Sequence, residues 1–126
     1  MASNVKANNS EERIPPIRIT DELAGMEYEL DFNRASVKFA EERGFELENV
    51  LRFPVVNLPL FFFYAFRAHH MSVSKRKTDE LYDRLGGLSP DFIERLTLLY
   101  TQAQQSNNIL ESTEDMGKNG NMTVTL

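Results

Sequence analysis

Residues 57–68, NLPLFFFYAFRA, form the most apolar stretch of the chain and decide its fold. The stretch predicts a helix from Asn57 to about Met71, with Pro59 in the first turn, where a missing N–H costs little. At 100° per residue its aromatic side chains fall on every side of the helix. Two interpretations stay open: a central helix enclosed by its own domain, or a helix that is buried on one side and meets a client or a second copy on the other.

Upstream of this helix, alternating residues predict a β-hairpin. Ile17 to Thr20 is a short alternating segment, and from Met26 to Phe32 apolar residues alternate with acidic ones, the period of a strand with one wet face. Residues 21–25 connect the two strands. An isolated hairpin is marginal in water, so this one must pack on the helices that follow.

Capping residues predict the remaining helices. Asn33 is the N-cap of a helix from Arg34 to about Arg43, and a short helical turn lies within residues 46–53. Ser74 and Ser89 begin the last two helices. The buried stripe of the first of these helices is predicted to be Thr78, Leu81, Tyr82 and Leu85. That of the second is predicted to be Phe92, Leu96, Leu99, Tyr100 and Ala103. The predicted fold class is therefore mostly α (α+β), an N-terminal β-hairpin followed by a compact bundle of about four helices.

Composition divides the chain into three parts. Residues 1–13 are predicted to be a disordered segment, residues 14–105 a helical domain, and residues 106–126 a disordered polar tail. The tail is too poor in apolar residues to offset about 1–2 kcal/mol of backbone entropy per ordered residue. Its last residues, Met122 to Leu126, are strand-like and could add to the sheet edge of a partner.

Composition also limits the classes of function. The chain has no cysteine, no signal segment at its N-terminus and no apolar run long enough for a bilayer. Its net charge is −5, which argues against broad electrostatic binding of nucleic acid. The sequence therefore predicts a cytosolic protein that binds neither nucleic acid nor membrane.

No residue pattern indicates catalysis, a cofactor or a metal site. His69 and His70 are adjacent, so on a helix they point about 100° apart, and there is no third histidine. A solvated helix end is the simpler interpretation of the pair. The serines lie at helix caps or in the tails, and carboxylate pairs such as Glu41-Glu42 lie on charged helix faces. The sequence predicts that the protein is not an enzyme.

Lys75-Arg76-Lys77, with Arg67 nearby, is the main basic cluster of the sequence. Three interpretations stay open: a nucleic-acid patch, an ordinary solvated helix start, or a contact for an acidic protein partner. Neighbouring acidic residues, Asp79 and Glu80 among them, weaken the first.

The motifs YELDFNRASVKFAE (residues 28–41), Gly44-Phe45 and FFYAFR (residues 62–67) resemble the tail assembly chaperones of long-tailed, siphovirus-type phages and prophages of Gram-positive bacteria. Thr78-Asp79, LGGL (residues 85–88) and FIERL (residues 92–96) extend the resemblance, which covers about Ile17 to Thr101. These motifs are structural signatures, and none of them is catalytic.

The resemblance implies a protein that binds the long, hydrophobic tape measure protein in the host cell cytoplasm. Such chaperones keep that client soluble, promote assembly of the tail tube protein around it, and are absent from the mature virion. Many are made in a second, longer form by a programmed frameshift, for which Gly117-Lys118 is the candidate position. Self-association is a further expectation.

The residues predicted to bind the partner are those of the aromatic helix and the basic cluster. They are Phe61, Phe62, Tyr64 and Phe66, with Arg67, Lys75, Arg76 and Lys77 pairing with acidic segments of the client. Two alternatives stay open. One is a structural tail or head-completion protein that is retained in the particle. The other is a small DNA-binding regulator that uses the last two helices, although Arg95 is the only basic residue of the last one.

Overall fold

A computed structural model of the protein describes residues 13–105 and 123–126, in which a small antiparallel sheet packs on helices. The elements follow in the order β1 (Ile17–Asp21), β2 (Met26–Leu30), α1 (Arg34–Glu42), α2 (Asn49–Arg52), α3 (Pro54–Phe66), α4 (Lys75–Leu85), α5 (Pro90–Gln105) and β3 (Val124–Thr125). This order confirms the predicted fold class. No helix among the described residues has the length and apolarity that a membrane span requires.

The hairpin supplies one wall of the core. β1 and β2 pair with Ile17 opposite Leu30 and Ile19 opposite Tyr28, and all four side chains are buried. These residues share one face because side chains alternate along a strand. The predicted alternation is confirmed at Tyr28 and Leu30. However, β2 ends before Phe32, Met26 is exposed and Asp31 is buried. Gly25, at a φ of 66°, closes the turn between the strands.

A long-range ion pair ties this hairpin to the helices. Asp21 is fully buried at the end of β1, and Arg84, near the end of α4, donates one N–H to each of its carboxylate oxygens at 2.9 and 2.8 Å. The backbone N–H groups of Leu23 and Ala24 also donate to Oδ1, at 3.1 and 3.4 Å. The hydrogen bonds from Arg84 hold the pKa of Asp21 at about 2, below its ordinary value of 3.8.

The caps lie where the sequence predicts them. Asn33 Oδ1 accepts the N–H of Ser36 at 2.8 Å, and Ser36 Oγ accepts the N–H of Asn33 at 2.9 Å, a reciprocal capping box. Ser74 and Ser89 accept the N–H groups three residues later, at 3.0 and 3.1 Å. α4 ends at Gly86 in the left-handed conformation, which glycine adopts without steric cost.

Helix α3 differs from its prediction at both ends. It begins at Pro54 instead of Asn57, because a proline at the first helical position has the required φ and lacks only an N–H that would be unpaired there. Asn57 lies inside the first turns, where its backbone N–H and its side-chain amide both donate to the Phe53 carbonyl at 3.0 and 2.9 Å. The helix ends at Phe66, before the predicted Met71, and His70 turns to β2.

The second half of α3 is the centre of the core. The ring of Phe61 lies 5.5 Å from that of Phe32, 5.4 Å from that of Phe45 and 5.8 Å from that of Tyr100, centroid to centroid. On another side of the helix, Phe62 contacts aromatic rings of α4 and α5, Tyr82 and Phe92. Aromatic pairs at these separations add to the stabilisation from burial.

Both outer edges of the β1–β2 hairpin are covered, and β3 is an edge strand of the resulting three-stranded sheet. On the β2 side, the N–H of Glu29 donates to His70 Nε2 at 2.8 Å and that of Asp31, just after the strand, donates to the Ala65 carbonyl at 3.0 Å. On the β1 side, β3 pairs antiparallel, with Val124 opposite Ile19. While these contacts hold, neither edge of the hairpin offers unpaired backbone groups to another chain.

Strand β3 departs from the predicted tail. Residues 106–126 are expected to be disordered, whereas Val124–Thr125 forms a strand. Strand-forming residues at the end of the chain satisfy backbone groups of β1 that would otherwise lack partners. The sequence predicts that this segment adds to the sheet of a partner, whereas in the structure it adds to the sheet of its own chain. The predicted disorder of residues 1–12 and 106–122 lies outside the described residues.

Phe61→Ala removes the ring at the centre of the aromatic cluster. We expect it to lower the free energy of unfolding by about 3–5 kcal/mol, the range for deleting a buried phenylalanine ring. Urea denaturation measures this. Val55→Ala, at an exposed position of the same helix, is the control and should change the value by no more than about 0.5 kcal/mol. Equal losses would contradict the placement of the core.

Asp21→Asn tests the buried ion pair through pH. The wild type should be more stable at pH 7, because only the ionised carboxylate pairs fully with Arg84. With a folded pKa of about 2 against the ordinary 3.8, this advantage is full above about pH 5, falls as pH drops from about 4 to 2, and is absent below that. Urea midpoints of both proteins are measured at pH 7, 4, 3 and 2. The difference between the two midpoints should be largest at pH 7 and should approach zero at pH 2. A constant difference would contradict the assignment.

Candidate partner-binding surface

Exposed apolar side chains are concentrated where α2 meets α3. Within six residues the chain exposes Leu51 at 75%, Phe53 at 55%, Val55 at 88% and Val56 at 64%. We call these four residues the 51–56 surface. Single exposed apolar residues are ordinary, but four large ones within six positions make this joint the candidate interaction site.

The backbone fixes these side chains in place. Val50 is buried and anchors α2 to the core, so its neighbour Leu51 faces outward. Phe53 lies outside the helical region, at φ −134° and ψ 68°, because the proline that follows disfavours a helical conformation there, and Pro54 then starts α3. The Phe53 N–H donates to the Asn49 carbonyl at 2.9 Å, which closes the joint between the two helices. The surface is therefore held by regular structure.

Helix α3 is divided along its length as a result. Its first turn exposes Val55 and Val56, its middle is half-buried, and from Phe61 onward most of its side chains are buried. The sequence shows that the whole helix is apolar, but neighbouring elements cover only its second half. The first turn therefore carries apolar side chains of the kind found in a core, Val55 and Val56, but exposes them to solvent.

This division corrects the predicted contact residues. Phe61, Phe62, Tyr64 and Phe66 were expected to touch a partner, and all four are buried in the core. A partner cannot reach them in this conformation. The signal that sequence reasoning missed is the apolar run just before them, LRFPVV (residues 51–56), which belongs to none of the predicted buried stripes.

The basic residues predicted to bind an acidic client are largely engaged within the chain. Lys75 Nζ lies 2.7 Å from Asp79 Oδ1, and Lys77 Nζ lies 3.4 Å from Glu80 Oε1. Arg76 is exposed. The structure brings this cluster together at the start of α4, and the internal pairs favour the interpretation as a solvated helix start.

Arg67 has a different neighbourhood from the α4 cluster. Its guanidinium carbon lies 3.9 Å from the centre of the Phe39 ring, and that of Arg43 lies 3.6 Å from the same ring. Cation–π contacts of this kind fix the orientation of a guanidinium against a helix. Arg67 is half-buried just after α3, and its guanidinium contacts α1 at Phe39.

His70 is half-buried and joins the end of α3 to β2, so the predicted solvated helix end is wrong for this residue, whereas His69 is exposed. His70 Nε2 is the acceptor for the Glu29 N–H, and burial, followed by the neighbouring His69, lowers the pKa of His70. His69 Nε2 lies 3.7 Å from Glu29 Oε2 and 3.6 Å from Asp31 Oδ2.

These carboxylates and His69 also have the donor types of a metal site. One ligand atom from each of Glu29, Asp31 and His69 lies within 4.8 Å of the other two. Glu29 and Asp31 lie about 40 residues before His69, so nothing in the local sequence indicates that the hairpin brings these carboxylates near the histidine. However, Arg13 Nη2 already lies 3.0 Å from Asp31 Oδ2. The guanidinium of Arg13 therefore pairs with the buried carboxylate at the position that a metal ion would need. The arrangement is that of an ion-pair network.

An open groove of about 630 Å³ lies between α1 and α5. Its walls include Arg34, Lys38 and Glu41 of α1, with Ala103 and Gln104 of α5. Basic, acidic and apolar groups alternate around it, and small-molecule sites are more apolar and converge on a few placed polar groups. The groove does not have that character.

Comparison with known proteins gives one family. A family model described as "Domain of unknown function (DUF5055)" matches residues 1–126. Curated proteins and solved structures give no match. The family description carries no activity, so an interpretation of function depends on the surface and on the sequence resemblance.

The double substitution Leu51→Ser and Val55→Ser tests whether the 51–56 surface is free of a structural role. We expect the free energy of unfolding to stay within about 1 kcal/mol of wild type, since exposed side chains contribute little. Binding of a hydrophobic dye such as ANS should fall at least twofold. The control Val50→Ser changes a buried neighbour and should destabilise the protein by more than that. Equal destabilisation by both variants would place the surface in the core.

Proposed function

The chain belongs to the DUF5055 family, and we propose that it is a tail assembly chaperone of a long-tailed phage or prophage. It binds the tape measure protein, keeps it soluble and promotes assembly of the tail tube protein around it. It acts in the host cell cytoplasm and is absent from the mature virion. The observation that carries the proposal is the 51–56 surface, an exposed apolar surface on a small and otherwise well-packed domain.

The surface has the chemistry that a hydrophobic helical client needs. Burying one large aliphatic or aromatic side chain contributes about 1.5–3 kcal/mol. Four such residues, already partly covered, therefore give a moderate affinity for each bound copy. A patch of this size lies below the area of a standard permanent interface. Moderate affinity suits a chaperone, which covers its client and then has to leave it.

The resemblance supports the proposal through the fold. Phe32 and Phe45, from two of the quoted motifs, contact the ring of Phe61. Asn33 and Ser36 form the capping box of α1, and Gly86 ends α4. These motif residues have structural roles, so they specify the domain. The 51–56 surface lies outside the quoted motifs and supplies the binding element.

A longer second product belongs to the proposal. The candidate frameshift position, Gly117-Lys118, lies outside the described residues. A product that changes frame there would lack Val124–Thr125 and would therefore have no β3. The gene tests this: a slippery heptamer at these codons with an open frame downstream supports the second product, and absence of either excludes it.

The alternatives make different predictions. A structural tail or head-completion protein would be present in stoichiometric amounts in purified virions, which mass spectrometry measures. A DNA-binding regulator would show salt-sensitive duplex binding. Arg95, the only basic residue of α5, donates to the Pro15 carbonyl at 3.0 Å, so it is already engaged in holding the N-terminal segment.

Co-expression with the tape measure protein tests the proposed function. We expect wild type to bring the client into the soluble fraction as a complex. Val55→Asp combined with Val56→Asp should reduce soluble client at least fivefold, because two charges would have to be desolvated on binding. Leu23→Asp is the matched control: Leu23 is 87% exposed in the hairpin turn, away from the 51–56 surface, and this variant should act as wild type.

Two outcomes would overturn the proposal. If the client is equally insoluble with and without wild-type chain, the protein is not its chaperone. If wild type works and the Val55 and Val56 double variant works equally well, the client binds elsewhere on the chain.

A further inference from the structure

The outer edge of β1 requires a strand beside it. Antiparallel pairing alternates, so the residues between those that bond to β2 direct their backbone groups to the opposite side. On that side the Thr20 N–H donates to the Thr123 carbonyl at 3.1 Å, and Arg18 pairs with Thr125. Ile19 and Thr20 are buried with β3 in place, so removal of β3 would exchange these hydrogen bonds for bonds to water and would expose this edge of β1.

The strand that meets this requirement is weakly held. β3 has two residues, and Val124 is its one apolar side chain that packs against the core. Thr123, Thr125 and Leu126 are exposed. β2, by comparison, pairs with β1 over five residues and buries Tyr28 and Leu30. Among the described strands, β3 is the shortest and packs one apolar side chain on the core, so its detachment should cost the least free energy.

The covalent connection does not force β3 onto its own domain. α5 ends at Gln105 and the described chain resumes at Thr123, so residues 106–122 connect them. An extended chain spans about 3.3–3.6 Å per residue, which gives this connection a reach of about 55–60 Å. A domain of about 90 residues has a radius of gyration of about 12 Å. The strand can therefore reach the same edge of a neighbouring copy.

We propose that the β1 edge accepts residues 123–126 of a second copy, so that two copies exchange their C-terminal strands. Among the described residues, the segment in register with this edge is residues 123–126, and a second copy presents the same segment. Reciprocal exchange pairs the β1 edge of both copies and gives a closed two-fold dimer. A tethered strand has an effective concentration of roughly millimolar, so exchange becomes appreciable as the protein concentration approaches that range.

Cysteine trapping tests the exchange, because the natural sequence contains no cysteine. Arg18→Cys and Thr125→Cys are made as separate single variants at positions that lie opposite each other in the sheet. Equal amounts are mixed at about 1 mM, the range of effective concentration of the tethered strand, in a glutathione redox buffer. Non-reducing electrophoresis and mass spectrometry then measure the disulfide dimers.

The expected result is an excess of the mixed dimer. Random collision gives an amount of mixed dimer that equals the sum of the two same-variant dimers, a ratio of one. Exchange should raise this ratio to at least three. A mixture of Glu22→Cys with Thr125→Cys, in which the first cysteine lies beyond the end of β1, should give the random ratio. A random ratio for the Arg18 and Thr125 pair would overturn the proposal.

The double variant Arg18→Cys/Thr125→Cys completes the design. At micromolar concentration it should close within one chain and run as a monomer, which confirms the register of β3. Once closed, it should stay monomeric at 1 mM in sedimentation velocity, where wild type should form dimers. Failure of the disulfide to form within one chain would also overturn the proposal, since the edge would then not hold residues 123–126.

Discussion

The structure depends on one constraint, the need to enclose a helix that is apolar on every side. Most side chains of the second half of α3 are buried, and Phe61 alone contacts rings from the hairpin side, the loop after α1 and α5. A domain of about 90 residues buries only a modest part of its surface. Its elements surround the last turns of α3 and leave the first turn open. The 51–56 surface is the part of the apolar stretch that this enclosure does not reach.

Polar contacts between distant residues set the rest of the architecture. Arg84 holds the buried Asp21 at the end of β1, and His70 accepts the Glu29 N–H at the edge of β2. The first contact closes the hairpin against α4, and the second covers a sheet edge with the end of α3. The described part of the chain has one place where four large apolar residues lie exposed within six positions. This concentration of exposed apolar side chains supports a binding role for the 51–56 surface.

Local signals in the sequence predict the elements well, because their causes are local. Asn33, Ser74 and Ser89 cap the predicted helices, and Gly86 ends α4. Contacts that join distant parts could not be predicted: Asp21 and Arg84 lie 63 residues apart, and nothing near either one identifies the other. Periodicity showed that α3 is apolar throughout, but which turns stay exposed depends on how far its neighbours extend. The strand at residues 124–125 was missed because its partner edge exists only in the folded sheet.

Hydrogen–deuterium exchange of the complex with a soluble tape measure fragment shows which half of α3 the client covers. The backbone amides of residues 51–57 should exchange more slowly in the complex, while those of residues 61–66 should keep the protection that they already have in the free protein. The opposite pattern, faster exchange at Phe61 to Phe66 with no change at residues 51–57, would mean that the core opens to bind the client. That result would contradict the division of α3 into a buried half and a binding half.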